Sequence, residues 1–217
     1  MTTARETELT LNIGTTIRCT DGDCAKLHKI ALDEESDEVA ALIVERGLLA
    51  KDRRVLPIDL VTKTTEEAIH VDLHSDALDD YKTYDEKIFR EPAEGWEETQ
   101  DLTVEGQFVR MPQGFTVQTP SVPSVRKRVH EGLSIDETPI HSGTPVHNIE
   151  GKIGSVDRLI SDEESKRLTA VVLRTPGLLP EYHILSAEHI SSIDEDGVYI
   201  ELDEDQVQDL PVYEPES

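Results

Sequence analysis

The 217-residue chain carries 46 acidic against 21 basic side chains, a net charge of −25 at pH 7, and only 4% of it is aromatic. That balance excludes DNA, disfavours RNA and repels anionic lipid, because binding to those polyanions rests on Lys and Arg neutralising phosphates. The length suits one larger domain or two small ones whose cores must rest on Val, Ile and Leu. Reading along the chain, Met1 to Glu8 has no apolar run to act as a leader, which sets the expected location as the cytoplasm. A first apolar stretch runs to the turn Asp21-Gly22-Asp23, where Gly can supply positive φ. A strand is predicted over Ala25 to Leu32, closed by Asp33-Glu34-Glu35-Ser36. Val39 to Glu45 follows, apolar on both faces as in a central strand, a pattern that a short buried helix would share. It contains the longest apolar run, Val39 to Val44, far too short to span a membrane. Further strands are predicted at Val55 to Ile58, near Val61, and at Ile69 to Leu73, where Ile69, Val71 and Leu73 alternate with His70, Asp72 and His74. Asp76 to Tyr81 reads as a helical turn with Asp as N-cap.

Beyond residue 138 the same order returns. Gly14-Thr15 and Ile17 match Gly143-Thr144 and Val146, an offset of 129 positions (143 − 14). The offset holds for Gly22 and Gly151, Asp33 to Ser36 and Asp162 to Ser165, Glu66 and Glu195, Leu73 and Leu202, and Tyr84 and Tyr213. It slips by one only where Pro176 is inserted before Gly177-Leu178-Leu179. A constant offset over this length indicates a duplication. The expected organisation is all-β, with two tandem small barrels at 9–85 and 139–214. An irregular linker at 86–138 separates them, with a hairpin around Val104 to Val117 and the basic cluster Arg126-Lys127-Arg128. On this reading the halves are independent, and Ile43 and Val172 each lie in their own barrel core.

The order of Gly14-Thr15-Thr16-Ile17, Asp21-Gly22-Asp23, Val39 to Val44, Val55-Leu56-Pro57 and Ile69-His70-Val71 resembles a PRC-barrel domain. The second copy resembles it more closely, in Gly143-Thr144-Pro145-Val146, Glu150-Gly151-Lys152-Ile153-Gly154 and Val171-Val172-Leu173. The family includes the cytoplasmic part of the photosynthetic reaction-centre H subunit and the C-terminal domain of a ribosome maturation factor. The resemblance implies six-stranded barrels that dock onto protein or ribonucleoprotein assemblies, and it supplies no catalytic motif. The chain departs from the first relative in lacking a transmembrane helix and from the second in lacking its other domain.

Three groups of residues invite chemistry. His28, His70 and His74 suggest a metal, with His70 and His74 on one face if the strand continues. Their counterparts Asp157, Tyr199 and Asp203 do not repeat that set, so these read as surface histidines. Cys19 and Cys24 flank a hairpin turn and are close enough for a disulfide or half a soft-metal site, and are read as buried free thiols. Their counterparts are Asn148 and Ile153. The Asp-Glu-Glu-Ser segments lack the spacing and central Gly of a calcium loop and read as solvated turns. With no nucleophile motif or phosphate-cradling loop, the expectation is no enzyme, no catalytic, cofactor or metal residues and no cofactor. The function expected is that of a cytoplasmic adaptor docking on a protein partner. The alternatives are an RNA-processing or ribosome-associated factor, then a reaction-centre-associated protein or a small-molecule or metal sensor.

Overall fold

The computed structural model describes residues 8–47, 51–92, 124–177 and 180–214. The chain is mostly β. Its strands are β1 (Glu8–Asn12), β2 (Thr16–Cys19), β3 (Gly22–Asp33), β4 (Val39–Arg46), β5 (Asp52–Pro57), β6 (Val61–Thr64), β7 (Ala68–Val71) and β8 (Asp85–Pro92). They continue as β9 (Ser124–Glu131), β10 (Glu137–Ile140), β11 (Pro145–Asn148), β12 (Gly151–Asp162), β13 (Leu168–Arg174), β14 (Tyr182–Ser186), β15 (Ile190–Asp194) and β16 (Gly197–Ile200), followed by the short helix α1 (Glu204–Gln208). Met1–Asp85 and His130–Ser217 form one compact unit, and Glu86–Val129 another. Within the second, β8 and β9 make a two-stranded sheet. The hairpin expected around Val104 to Val117 lies outside the described residues.

The larger unit holds two seven-stranded sheets of the same design. One runs β5-β4-β3-β2-β7-β6 and the other β14-β13-β12-β11-β16-β15. In each, β2 pairs with β7, or β11 with β16, in parallel, and the remaining pairs on these paths are antiparallel. The seventh strand of each sheet comes from the other copy. β1 lies antiparallel on β12, with Leu11 opposite Leu159, and β10 lies on β3, with Ile140 opposite Ile30. The expectation of independent halves is therefore corrected: the copies exchange their first strands. Leu9, Leu11 and Ile140 are buried, and one continuous apolar cluster draws side chains from both copies. The switch occurs at Gly14 and Gly143, both at positive φ. There, Gly14 N–H donates to Leu27 O at 2.8 Å and Gly143 N–H to Val156 O at 2.9 Å.

The apolar strand β4 is buried on both faces for two reasons. Leu42 and Val44 face the shared core. Ala41 and Ile43 face outward, where the backbone of residues 82–84 bonds along β5: Val55 N–H donates to Lys82 O at 3.0 Å and Tyr84 N–H to Arg53 O at 2.9 Å. In the second copy Val172 joins Ile160 and Ala170 in a separate cluster with Tyr182, Ile184 and Tyr213. Ile43 and Val172 are thus fully buried, but outside the main core rather than in it. The alternation of β7 and β16 appears as expected, with Ile69, Val71, Val198 and Ile200 buried and His70 and Tyr199 partly exposed. The helical turns start one residue or more earlier than the sequence suggested. His74 caps a 3₁₀ turn at Ser75–Asp80, and Asp203 caps α1 in a capping box with Gln206.

Candidate functional site

The two Asp-Glu-Glu-Ser turns meet at the seam between the copies. In each, one aspartate oxygen folds the turn: Asp33 Oδ1 accepts from the Ser36 N–H and hydroxyl, both at 2.9 Å, and Asp162 Oδ1 accepts from Ser165 N–H at 2.7 Å and its hydroxyl at 2.9 Å. These hydrogen bonds hold both carboxyls below their ordinary pKa. The next residues, Asp37 and Lys166, take positive φ and turn the chains toward each other. Val39 N–H donates to Lys166 O and Leu168 N–H to Asp37 O, each at 2.9 Å, and Glu38 stands opposite Arg167. Residues equivalent in the repeat thus pair with each other, so a local twofold axis passes between them. The turns are seam elements rather than merely solvated loops.

On either side of that axis lie two related polar clusters. A β-bulge at His28 in β3 and at Asp157 in β12 shifts the register and re-aims the next side chain to the outer face. Lys29 there reaches the Tyr84 hydroxyl at 3.2 Å. Tyr84 in turn bonds His130 Nδ1 at 2.8 Å and stacks on its ring, and His130 Nε2 lies 3.8 Å from Glu195 of the second copy. Opposite, Arg158 donates to Glu66 of the first copy at 3.1 Å, to the Tyr213 hydroxyl at 3.0 Å and to Asp157 at 2.9 Å. Tyr213 donates to Glu66 at 2.8 Å, and the guanidinium sits 4.6 Å from the tyrosine ring centre. Burial works against the Arg158 charge, but Asp157, Tyr213 and Glu66 outweigh it and hold its pKa above the ordinary guanidinium value. Burial and the Glu66 hydrogen bond push the Tyr213 hydroxyl up. These clusters are structural clamps, partly buried polar side chains that meet across the two copies.

The residues singled out from the sequence fall elsewhere. His28 is partly buried in the bulge; burial, then the Arg53 charge, lower its pKa to about 4. His70 is on β7, but that strand ends at Val71, and His74 instead caps the following 3₁₀ turn, with Asp21 and Asp76 each 3.6 Å away. The two do not share a strand face. Cys19 and Cys24 form a disulfide across the β2–β3 hairpin, which corrects the free-thiol reading. Among the described residues no three His, Cys, Asp or Glu side chains gather as a metal would require. The clamp residues Glu66, Glu195, Tyr84 and Tyr213 were visible only as repeated positions; a polar residue kept at both ends of the offset was the available signal. No family model matches the chain, and no curated protein matches it.

Proposed function

We propose that the chain is a non-catalytic binding protein of the PRC-barrel type, with repeats at 9–85 and 139–214 that exchange their first strands and are joined in sequence by 86–138, and that it docks onto a protein partner or assembly in the cytoplasm. The observation that carries this reading is the reciprocal strand exchange. It fixes two similar surfaces about one local axis, so that the second contact with a partner follows the first at little further entropic cost. The charge of −25 favours a basic protein surface as the complement and disfavours nucleic acid and anionic membrane. The Cys19–Cys24 disulfide bears on location, since cytoplasmic thiol pools keep most such pairs reduced. A cytoplasmic protein should therefore have both cysteines open to alkylation in the intact cell.

Affinity capture from the source cell after chemical cross-linking, read by mass spectrometry, tests the proposal. The expected result is a protein recovered in near-equal amount with the bait. Recovery of no protein above control would overturn it. Sub-micromolar RNA binding at physiological salt would turn it into the ribosome-associated reading.

A further inference from the structure

The two copies differ sharply at one place, the end of each sheet beyond β4–β5 and β13–β14. In the first copy two arginines fill it. Arg46 donates to Asp52 at 2.7 Å and pairs with Asp79. Arg54 donates to Asp52 at 3.0 Å, to the Asp79 carboxylate at 3.3 Å and to the backbone carbonyls of Asp79 and Tyr81 at 3.2 and 3.0 Å. Two guanidinium groups thus satisfy two carboxylates and two carbonyls.

The repeat places Thr175 and His183 where Arg46 and Arg54 stand, and Glu181, Gln208 and Leu210 where Asp52, Asp79 and Tyr81 stand. The backbone follows: Val44 pairs with Arg54, and Leu173 with His183. The acceptors largely remain and the cations are gone. What is left is a cavity of about 220 Å³ lined by Thr175, Glu181, His183, Glu204, Gln208 and Lys152, among others.

His183 is only 2% exposed. Its Nδ1 bonds the Leu210 carbonyl at 3.2 Å, replacing the Arg54 bond to Tyr81 O. A carbonyl only accepts, so Nδ1 carries a proton, and in the Nδ1–H tautomer Nε2 presents a lone pair. That Nε2 has no hydrogen-bond partner among the described residues and lies 3.6 Å from the Glu181 carboxylate, another acceptor. In that tautomer two acceptors stand side by side on the cavity wall, an arrangement that a cationic donor reaching both would satisfy.

We propose that this cavity binds a guanidinium group, supplied from outside, in the place that Arg46 and Arg54 occupy in the first copy. Glu181 takes the charge, and His183 Nε2 and the Gln208 carbonyl accept N–H bonds. Glu204 adds negative charge against the single lysine of that lining, Lys152. A planar donor fork suits this set better than a spherical ammonium, because it reaches two acceptors in one plane. The inference goes beyond the adaptor reading and stands or falls without it.

The test is an amide-resolved NMR titration of the full chain with ethylguanidinium. A ligand of this size should bind with an affinity on the order of millimolar and shift the amides of Thr175, Glu181, His183 and Gln208. Glu181→Gln should weaken binding at least about fivefold, the loss of roughly one charge-assisted contact. His183→Arg should abolish it by filling the cavity as Arg54 does, with a melting temperature no lower than the parent's. Tighter binding of an arginine-containing capped peptide would identify a protein side chain as the source. Tighter binding of free L-arginine would identify a small molecule. Absence of saturable shifts at those amides, or equal binding by His183→Arg, would overturn the proposal. So would one equivalent of zinc, bound by the parent and lost in His183→Arg.

Discussion

Replacing Leu11 by alanine probes the strand exchange directly. Leu11 belongs to the first copy by sequence, is fully buried, and sits in the second sheet opposite Leu159. Truncation removes three carbons, a methine and two methyls, from a packed site and leaves a cavity, a loss of about 2–5 kcal/mol. For a cooperative unit of this size each kcal/mol lowers the melting point by about 2–4 °C, so a fall on the order of 10 °C is expected. The discriminating feature is where the loss appears. If the halves are knit together, calorimetry shows one transition that moves as a whole, and hydrogen exchange accelerates in β3 and β12 alike. Ile140→Ala, the mirror change on β10, should do the same from the other side. Two separate transitions, with each variant moving only one, would refute the cooperative picture.

Coexpressed fragments 1–92 and 124–217 should co-purify as a one-to-one complex, and neither should give a dispersed NMR spectrum alone, because each lacks the strand the other supplies. Gly154→Ala should cost about 1–3 kcal/mol in denaturant melts, since its new methyl would lie 2.6 Å from both the Arg174 carbonyl and Leu173 Cδ1. The matched Ala25 carries its methyl already, so Ala25→Gly should cost less, about 1 kcal/mol or under. The pKa of His28 in the folded chain, about 4 against an ordinary 6.5, means the unfolded chain takes up its proton first. Stability should be full above pH 6.5 and fall as pH drops toward 4, by up to about 3 kcal/mol before solvent screening is allowed for. His28→Asn should flatten that part of the profile.

Much of the fold is legible in the sequence because hydrophobic period and turn chemistry are local. The alternation at Ile69 to Leu73, the doubly apolar β4 and the glycine turns each announce themselves within ten residues. The exchange is not legible, and symmetry is the reason. Leu9-Thr10-Leu11 and Thr138-Pro139-Ile140 present similar edges, and β3 and β12 offer matched partners, so no side-chain pattern says which belongs to which. Only the path of the backbone at Gly14 and Gly143 decides. The clamps were hidden for another reason: a bulge moves Lys29 and Arg158 to the face opposite the one simple alternation gives. Nor does spacing alone tell a cystine from two thiols, as Cys19 and Cys24 illustrate. The Nε2 of His183, without a hydrogen-bond partner among the described residues, becomes visible only when its copy-one counterpart is seen to be the well-bonded Arg54.

The exchange also has a cost during synthesis. β1 leaves the ribosome well before its partner β12, which lies about 150 residues later, on the order of ten to thirty seconds of translation. For that interval Leu9 and Leu11 have no sheet to join, and the last part of β3 waits equally for β10. Folding of either half before then is incomplete by construction, and the long sequence separation of the closing contacts makes the final step slow. A nascent chain with a bare apolar edge is a template for pairing with its neighbours on the same message. The acidic side chains that flank these strands, from Glu8 to the Asp-Glu-Glu-Ser turns, give such chains a reason to repel one another until the two ends meet.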